Sequence, residues 1–341
     1  MVLQQVPIID IAPFLNGDGD DKGKRQVAEQ VRKACEDIGF FVVTGHGIAP
    51  NLITEVNDVS KQFFDLPHEE KIVVERWADD VIRGYSRPLK ECLAESRGNK
   101  APGDLKESLT IIPIDVPDEP YYHCAEAGQN FVENRWPEHP AELKETWSRY
   151  WLVMERLAVD MMNIFALALD LKEHYFDRLI DKHVSQFQVL NYPDQPEASL
   201  ENQFLASAHS DFGAFTVCSI EDKPGGLQAM NRNGAWVDVP VVADGFCINL
   251  GDQMQMWTND KWIFTLHRIT NPPRDKSIGS RRKSFIFFIY TNYDSIIECF
   301  ESCHDADNPP KYLPVTTADN LLDKFLKMTA IGASGKMASE G

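Results

Sequence analysis

The chain is 341 residues long with 43% hydrophobic and 25% charged residues, which allows one large core with additions and excludes a disordered or fibrous protein. Its 34 Lys and Arg against 52 Asp and Glu give a formal charge of -18, which repels phosphate backbones and anionic lipid and argues against nucleic-acid binding, though not against a local basic pocket. The seven cysteines form an odd set without a CxxC pair, there is no leader with a basic start and apolar core, and no apolar run reaches the roughly 18 residues needed to cross a bilayer, so the expectation is a reduced, cytoplasmic protein without a membrane segment.

Residues 6–10 read as a short strand with Pro7 at its edge, followed by a polar Gly- and Asp-rich loop through Asp21. Over 24–38 the apolar residues Val27, Val31, Ala34, Cys35 and Ile38 recur at helical spacing, and Gly39 is placed as a stop. Residues 40–43 are β-rich and lead into the turn Thr44-Gly45-His46-Gly47. A second helix is predicted over 51–64, with Ile53, Val56, Ser60 and Phe63 on one face and Pro67 beyond its end. Residues 77–136 have no sustained period and read as loops and irregular structure at a substrate mouth. The strongest helical pattern spans 140–171, where Trp147, Trp151, Met154, Ala158, Met161 and Phe165 form a stripe that reads as a core face rather than a cofactor box. After Val184 come short apolar runs separated by turn signals, at 187–190, 215–220, 226–230, 236–239, 246–250, 262–269 and 284–290. Short strands at such spacing predict a β-sandwich or jelly-roll barrel, and the tail after Thr329 reads as frayed.

In Ala208-His209-Ser210-Asp211-Phe212-Gly213 a His and an Asp stand two apart, so on a strand or its end they project to the same face and reach one ion. Two imidazoles and one carboxylate covering one face of an octahedron suit Fe(II) in oxygen chemistry, because they leave positions for substrate and dioxygen. An isolated HxD arises often by chance, so context decides. His267, in a β-type run of the same strand-rich half, is the candidate third ligand; the remaining histidines sit in turns, at helix ends or in polar loops.

Beyond His267, Arg282 and Ser284 are again two apart and share one face of a predicted strand. A guanidinium fork with a hydroxyl is a good receptor for a carboxylate, although spacing alone favours a solvated charge run of Arg281, Arg282 and Lys283 capping the strand. Tyr192, just before Pro193, adds a phenol at a strand end, where the bland alternative is a packed aromatic with a wet hydroxyl.

With these residues in view, the chain resembles the isopenicillin-N-synthase-like family of Fe(II)- and 2-oxoglutarate-dependent dioxygenases. The likeness begins at Val6-Pro7-Ile8-Ile9-Asp10, Ala34-Cys35-Glu36-Asp37-Ile38-Gly39-Phe40-Phe41 and Gly45-His46-Gly47-Ile48. It continues in order through Asn191-Tyr192-Pro193, His209-Ser210-Asp211, Gly225-Gly226-Leu227-Gln228, Trp236, Asn249-Leu250-Gly251-Asp252, Thr258-Asn259, His267-Arg268 and Arg282-Lys283-Ser284. The resemblance implies a mainly β fold with flanking α: a double-stranded β-helix (jelly-roll) core plus an N-terminal α/β region. It divides the chain into an N-terminal region with mouth loops (1–140), a supporting helix (141–180), the β-helix core (181–295) and a C-terminal lid and tail (296–341). It implies iron on His209, Asp211 and His267, and the distal carboxylate of 2-oxoglutarate on Arg282 and Ser284 with help from Tyr192. Dioxygen would be the second co-substrate, ascorbate a stimulant, and the substrate a small molecule of secondary metabolism. His46 is read as part of a structural turn.

Hydroxylation of an unactivated C–H bond is the default reaction, with desaturation, ring closure or ring expansion open. The 267–282 gap, containing Pro272, Pro273 and Gly279, is longer than the family's usual spacing and reads as a longer hairpin loop. Arg83, Tyr85, Phe287 and Tyr290 are named as candidate pocket liners, each with a structural reading of at least equal weight. Because an Arg-x-Ser pair also occurs in family members that use no 2-oxoglutarate, an oxidase of the isopenicillin N synthase type is the alternative, and a non-catalytic ligand-binding relative stands behind it.

Overall fold

Hydrophobic periodicity places three long helices. On α1 (Asp21–Asp37), Val27, Ala28, Val31, Ala34 and Cys35 are all buried along one face. The chain then turns at Gly39, whose φ is +65° and whose N–H closes on the Ala34 carbonyl at 2.9 Å. A Cβ at Gly39 would run into the carbonyl of Ile263, so this stop has a packing reason as well as a conformational one. α2 (Pro50–Phe64) begins on a proline, whose missing N–H is of no consequence in a first turn, and buries Val56, Val59, Ser60, Phe63 and Phe64. α3 (Leu143–Ala168) has 26 residues and so runs about 39 Å. Its Trp147, Trp151, Met154, Met161 and Phe165 are fully buried, as the stripe predicts, and α1 and α2 both pack against it.

The computed structural model describes residues 5–16, 21–78, 81, 83–99, 101–322 and 324. The end of the N-terminal polar loop and the tail predicted to fray after Thr329 lie outside them. The strands, in chain order, are β1 (Ile8–Asp10), β2 (Phe40–Thr44), β3 (Gly84–Ser86), β4 (Glu107–Ile111), β5 (Gln186–Tyr192), β6 (Ala206–His209), β7 (Phe215–Ile220), β8 (Leu227–Met230), β9 (Trp236–Asp238), β10 (Phe246–Leu250), β11 (His267–Ile269) and β12 (Arg282–Ile289), followed by the small pair β13 (Ile296–Ile297) and β14 (Val315–Thr316). They form an eight-stranded sheet in the order β1-β2-β10-β7-β12-β5-β4-β3 and a four-stranded sheet in the order β6-β11-β8-β9. Outside β1–β2, every pairing within these sheets is antiparallel. Two sheets, the larger one extended at both edges by N-terminal strands, are the double-stranded β-helix with its α/β opening.

The larger sheet has two distinct faces. Phe187, Phe215, Phe285, Phe287 and Ile289 pack outward against α3, with Trp151 against Phe287 at 4.9 Å and Phe165 against Phe215 at 5.1 Å between ring centroids. The other face looks toward the small sheet. Its register aligns Arg282 with Tyr192, and Ser284 with Leu190 and Ile220. It aligns Ile286 with Gln188 and Cys218, and Phe288 with Gln186 and Thr216.

Residues 77–136 depart from expectation. Rather than being wholly irregular, they supply β3 and β4, which extend the large sheet next to β5. β4 is buried along its whole length although Ser108 and Thr110 alternate with Leu109 and Ile111 as they would in a half-exposed strand, a run too short to stand out in an otherwise aperiodic segment. Its Glu107 accepts from Lys71 Nζ (2.8 Å), Asn191 Nδ2 (2.8 Å) and the Tyr85 hydroxyl, which is how a carboxylate is tolerated there. The predicted 262–269 strand is also shortened to His267–Ile269, with Trp262 turned into the helical core instead. Among the described residues no helix is long and apolar enough to cross a membrane.

Candidate active site

β6 and β11 pair antiparallel with His209 directly opposite His267, which brings the two rings to a centroid separation of 4.2 Å. Asp211 lies just past the end of β6, where Asp252 N–H bonds its carbonyl at 3.0 Å and Gln253 N–H bonds that of Gly213 at 3.2 Å. The result is three side chains from separated segments whose candidate ligand atoms all lie within 4.8 Å of one another. Asp211 Oδ1 is 3.8 Å from both His209 Nε2 and His267 Nε2.

Each ligand is oriented from behind. His209 Nδ1 donates to the Ser207 carbonyl at 2.8 Å and His267 Nδ1 to that of Thr265 at 3.0 Å, which selects the tautomer and leaves both Nε2 lone pairs facing the shared point. Asp211 Oδ2 accepts from Thr216 Oγ1 at 2.6 Å and from Asn249 Nδ2 at 2.7 Å, leaving Oδ1 toward the imidazoles. Burial pushes the Asp211 carboxyl up, but the two imidazoles and these two donors outweigh it and hold it below the usual range. Burial and the neighbouring His267 push His209 down, against the pull of Asp211, so its imidazole stays neutral. An ionised carboxylate beside a neutral ring is the form that binds a metal.

The triad opens on a cavity between the sheets, lined among others by Tyr192, Ser284, Cys218, Phe212, Phe288 and Tyr290. Arg282, Ser284 and Tyr192 are essentially inaccessible, at 1%, 0% and 0% exposure. The Tyr192 hydroxyl, the Ser284 hydroxyl and Nε and Nη2 of Arg282 are nevertheless buried without partners. Burial drives the Tyr192 phenol far up, so it stays protonated as a donor, with Arg282 and the neighbouring Ser284 hydroxyl close enough to oppose that shift. A cluster of unmet donors around one guanidinium wants a bound anion, and the triad wants a cation, so the residues present fit iron and a dicarboxylic keto acid. The charge run splits by parity: Arg281 bonds Asn191 Oδ1 and Asp65, Lys283 bonds Glu221, and Arg282 alone turns to the inner face.

The pocket liners named from sequence divide. Tyr290 lines the cavity, but Phe287 faces α3 and its neighbour Phe288 takes the place predicted for it. Tyr85 is buried with its hydroxyl on Glu107, and Arg83 stacks over Trp77 at 4.5 Å, donating to the Glu133 carbonyl. Neither lines the cavity. His46 is structural: its Nδ1 accepts from Ile48 N–H at 3.1 Å, its Nε2 meets the Asp244 carbonyl, and its ring packs on Phe246. Sequence reasoning missed Thr216 and quoted Asn249 without a role; on strands β7 and β10 their alternation with buried Val217 and Ile248 was the available signal.

A facial set of two histidines and one carboxylate inside a double-stranded β-helix defines a mononuclear non-haem iron oxygenase. Comparison with known proteins narrows this. Residues 6–139 match the family described as non-haem dioxygenase in morphine synthesis N-terminal, and residues 184–291 match the 2OG-Fe(II) oxygenase superfamily. The chain is 37% identical to the 2-oxoglutarate-Fe(II) type oxidoreductase hxnY of Emericella nidulans, over 92% of this chain and 87% of that one. It is 29% identical to the homoarginine-6-hydroxylase 2-ODD-233 of Oryza sativa subsp. japonica, over 94% and 96%. Among solved structures, a full-length Neurospora crassa protein in complex with alpha-KG superposes with a TM-score of 0.80 at 27% identity, covering 94% of this chain and 95% of that one. The chain belongs to the 2OG-Fe(II) oxygenase superfamily and is an Fe(II)- and 2-oxoglutarate-dependent oxidoreductase with its metal site at His209, Asp211 and His267.

Proposed function

We infer that Tyr192, Arg282 and Ser284 hold the distal carboxylate of 2-oxoglutarate, and that the enzyme oxidises an unactivated C–H bond of a small molecule, with hydroxylation as the default outcome. The observation that carries this is the strip of partnerless buried donors on the inner face of β5 and β12. One carboxylate meets them together, bidentate on the guanidinium and capped by two hydroxyls. Iron and 2-oxoglutarate supply, when bound, the oxidising chemistry drawn from dioxygen, with succinate and carbon dioxide as co-products. The chain contributes the geometry. Thr216 and Asn249 aim the Asp211 carboxylate, the Ser207 and Thr265 carbonyls fix the imidazoles, and Phe212, Phe288 and Tyr290 give the cavity an apolar wall that keeps water from the reacting centre. The four-part division at 140, 180 and 295 and a cytoplasmic location belong to the same reading; the latter is supported by seven cysteines that are all free.

The test is an anaerobic Fe(II) titration with and without 2-oxoglutarate, following the visible charge-transfer band of the chelate. Arg282→Lys keeps the charge and loses the fork, so 2-oxoglutarate affinity should fall at least about tenfold while iron affinity holds. A band indifferent to Arg282, or substrate oxidation that needs no keto acid, would return the site to the oxidase alternative.

A further inference from the structure

We propose that the substrate is a small, flat, uncharged molecule presenting an amide edge, a C=O beside an N–H, and that Gln186 and Gln188 read that edge; this rests on the placement of the keto acid given above. The inner face of β5 carries Gln186, Gln188, Leu190 and Tyr192 in a line. Its Tyr192 end meets Arg282. At its other end Gln186 pairs with Phe288, which pairs with Thr216, the residue that holds Asp211. Gln186 therefore sits in the transverse row that supports the metal, away from the partnerless donors around Arg282.

Gln186 is 6% exposed, lines the cavity, and its Nε2 is buried with no partner, a deficit that a ligand acceptor would relieve. Gln188 lines the same cavity with its Nε2 committed to Thr110 Oγ1 at 2.9 Å, which turns its oxygen away as an acceptor. One donor and one acceptor at positions i and i+2, with Cβ atoms roughly 6.8 Å apart, bracket an edge that carries the opposite pair. Phe212, Phe288 and Tyr290 wall this end, the last two nearly parallel at 20° and 6.4 Å, and suit a flat ring.

Charge narrows the class further. Among the described residues the carboxylates lining the cavity are Asp211, at the metal, and Glu91. Glu91 is taken by Lys106 at 2.5 Å and by Arg76, while neighbouring Asp104 accepts from Leu93 N–H and Ser207. Two cations and two carboxylates balance, so no acid is left to receive a cationic substrate, and burying an unpaired charge there is strongly disfavoured.

The experiment is calorimetric titration of protein loaded with Mn(II) and 2-oxoglutarate, a readout independent of turnover, using thymine, 1,3-dimethyluracil and L-homoarginine as probes. Thymine should bind with a Kd below about 1 mM. Dimethyluracil, which lacks the N–H groups, and homoarginine, a cation, should bind at least about tenfold more weakly. The near-isosteric variants Gln186→Leu and Gln186→Glu should each weaken thymine at least about tenfold, with melting temperatures confirming that they fold. Thymine binding that is absent from the wild type, unchanged in Gln186→Leu, or weaker than homoarginine binding would overturn the proposal. Failure of the wild type to bind 2-oxoglutarate would instead overturn the reading on which it rests.

Discussion

Replacing Thr216 with Val removes a hydroxyl from Asp211 Oδ2 while preserving shape, and so isolates what the carboxylate's support contributes to the metal. Thr216 is 2% exposed and its hydroxyl donates to Asp211 Oδ2 at 2.6 Å. A hydrogen bond to a charged group contributes about 1.5–3 kcal/mol. Thr216 and Asn249 already bond the Asp211 carboxylate before metal arrives, so part of that stabilisation is common to the free and loaded states and cancels in the affinity. The expected loss in metal affinity is therefore near the low end of the 10–100-fold typical of groups that orient ligands, about tenfold for Thr216→Val. Asn249→Leu, which removes the second donor to the same oxygen, should do the same. The double variant should lose more than either but less than the product, because both act on one atom. Anaerobic equilibrium dialysis with Fe(II) measures the affinity, and melting of the metal-free protein separates it from stability. Affinities within twofold of wild type in both single variants would refute the argument, as would a drop in metal-free melting temperature with no change in affinity.

Two further perturbations test the layers around the site. Glu107→Gln leaves the Lys71 ammonium buried against an uncharged partner and should cost about 3–5 kcal/mol in urea unfolding, partly restored by adding Lys71→Met; a loss under about 1 kcal/mol would mean that the Lys71, Tyr85 and Asn191 bonds do not hold β3 and β4 on the sheet. Phe287→Ala should cost about 3–5 kcal/mol in stability with little effect on substrate KM, whereas Phe288→Ala should raise KM with a smaller stability loss; the reverse pattern would contradict the assignment of the two faces of β12.

The residue pattern made the metal site legible because its chemistry is concentrated: a His and an Asp two apart, a His on a later strand, and a forked cation with a hydroxyl beyond it. The helices were legible because Gly39 and Pro67 mark the ends of α1 and α2, and because the stripe on α3 is buried along its length. What failed has a common cause. β4 escaped because its alternation covers only four residues and follows a glutamate whose burial depends on partners far away in sequence, Lys71 among them, which periodicity cannot register. The 262–266 segment looked like strand because a β-type run and a loop crossing the helical core are equally apolar. Phe287, by contrast, was avoidable: once Arg282 and Ser284 are assigned to the cavity, two-residue alternation sends Phe287 to the opposite face and Phe288 inward.

That alternation also explains how the long 267–282 connection leaves the site intact. β12 is paired along one edge with β5 and along the other with β7, so its register is fixed on both sides independently of how the chain arrives. Within the arriving loop, Arg281 N–H is pinned to Asp194 at 2.7 Å and Arg274 donates to the carbonyls of Gln195 and Pro196, so the extra residues are bound down on the segment following β5. A slip of one residue would send Arg282, Ser284, Ile286 and Phe288 together to the outer face and bring Arg281, Lys283 and Phe285 inward. The anion receptor and the substrate wall are therefore not separately placed features. They occupy one face of one strand, and the register that buries Phe287 against Trp151 is the same one that presents Arg282 to the cavity side of the sheet.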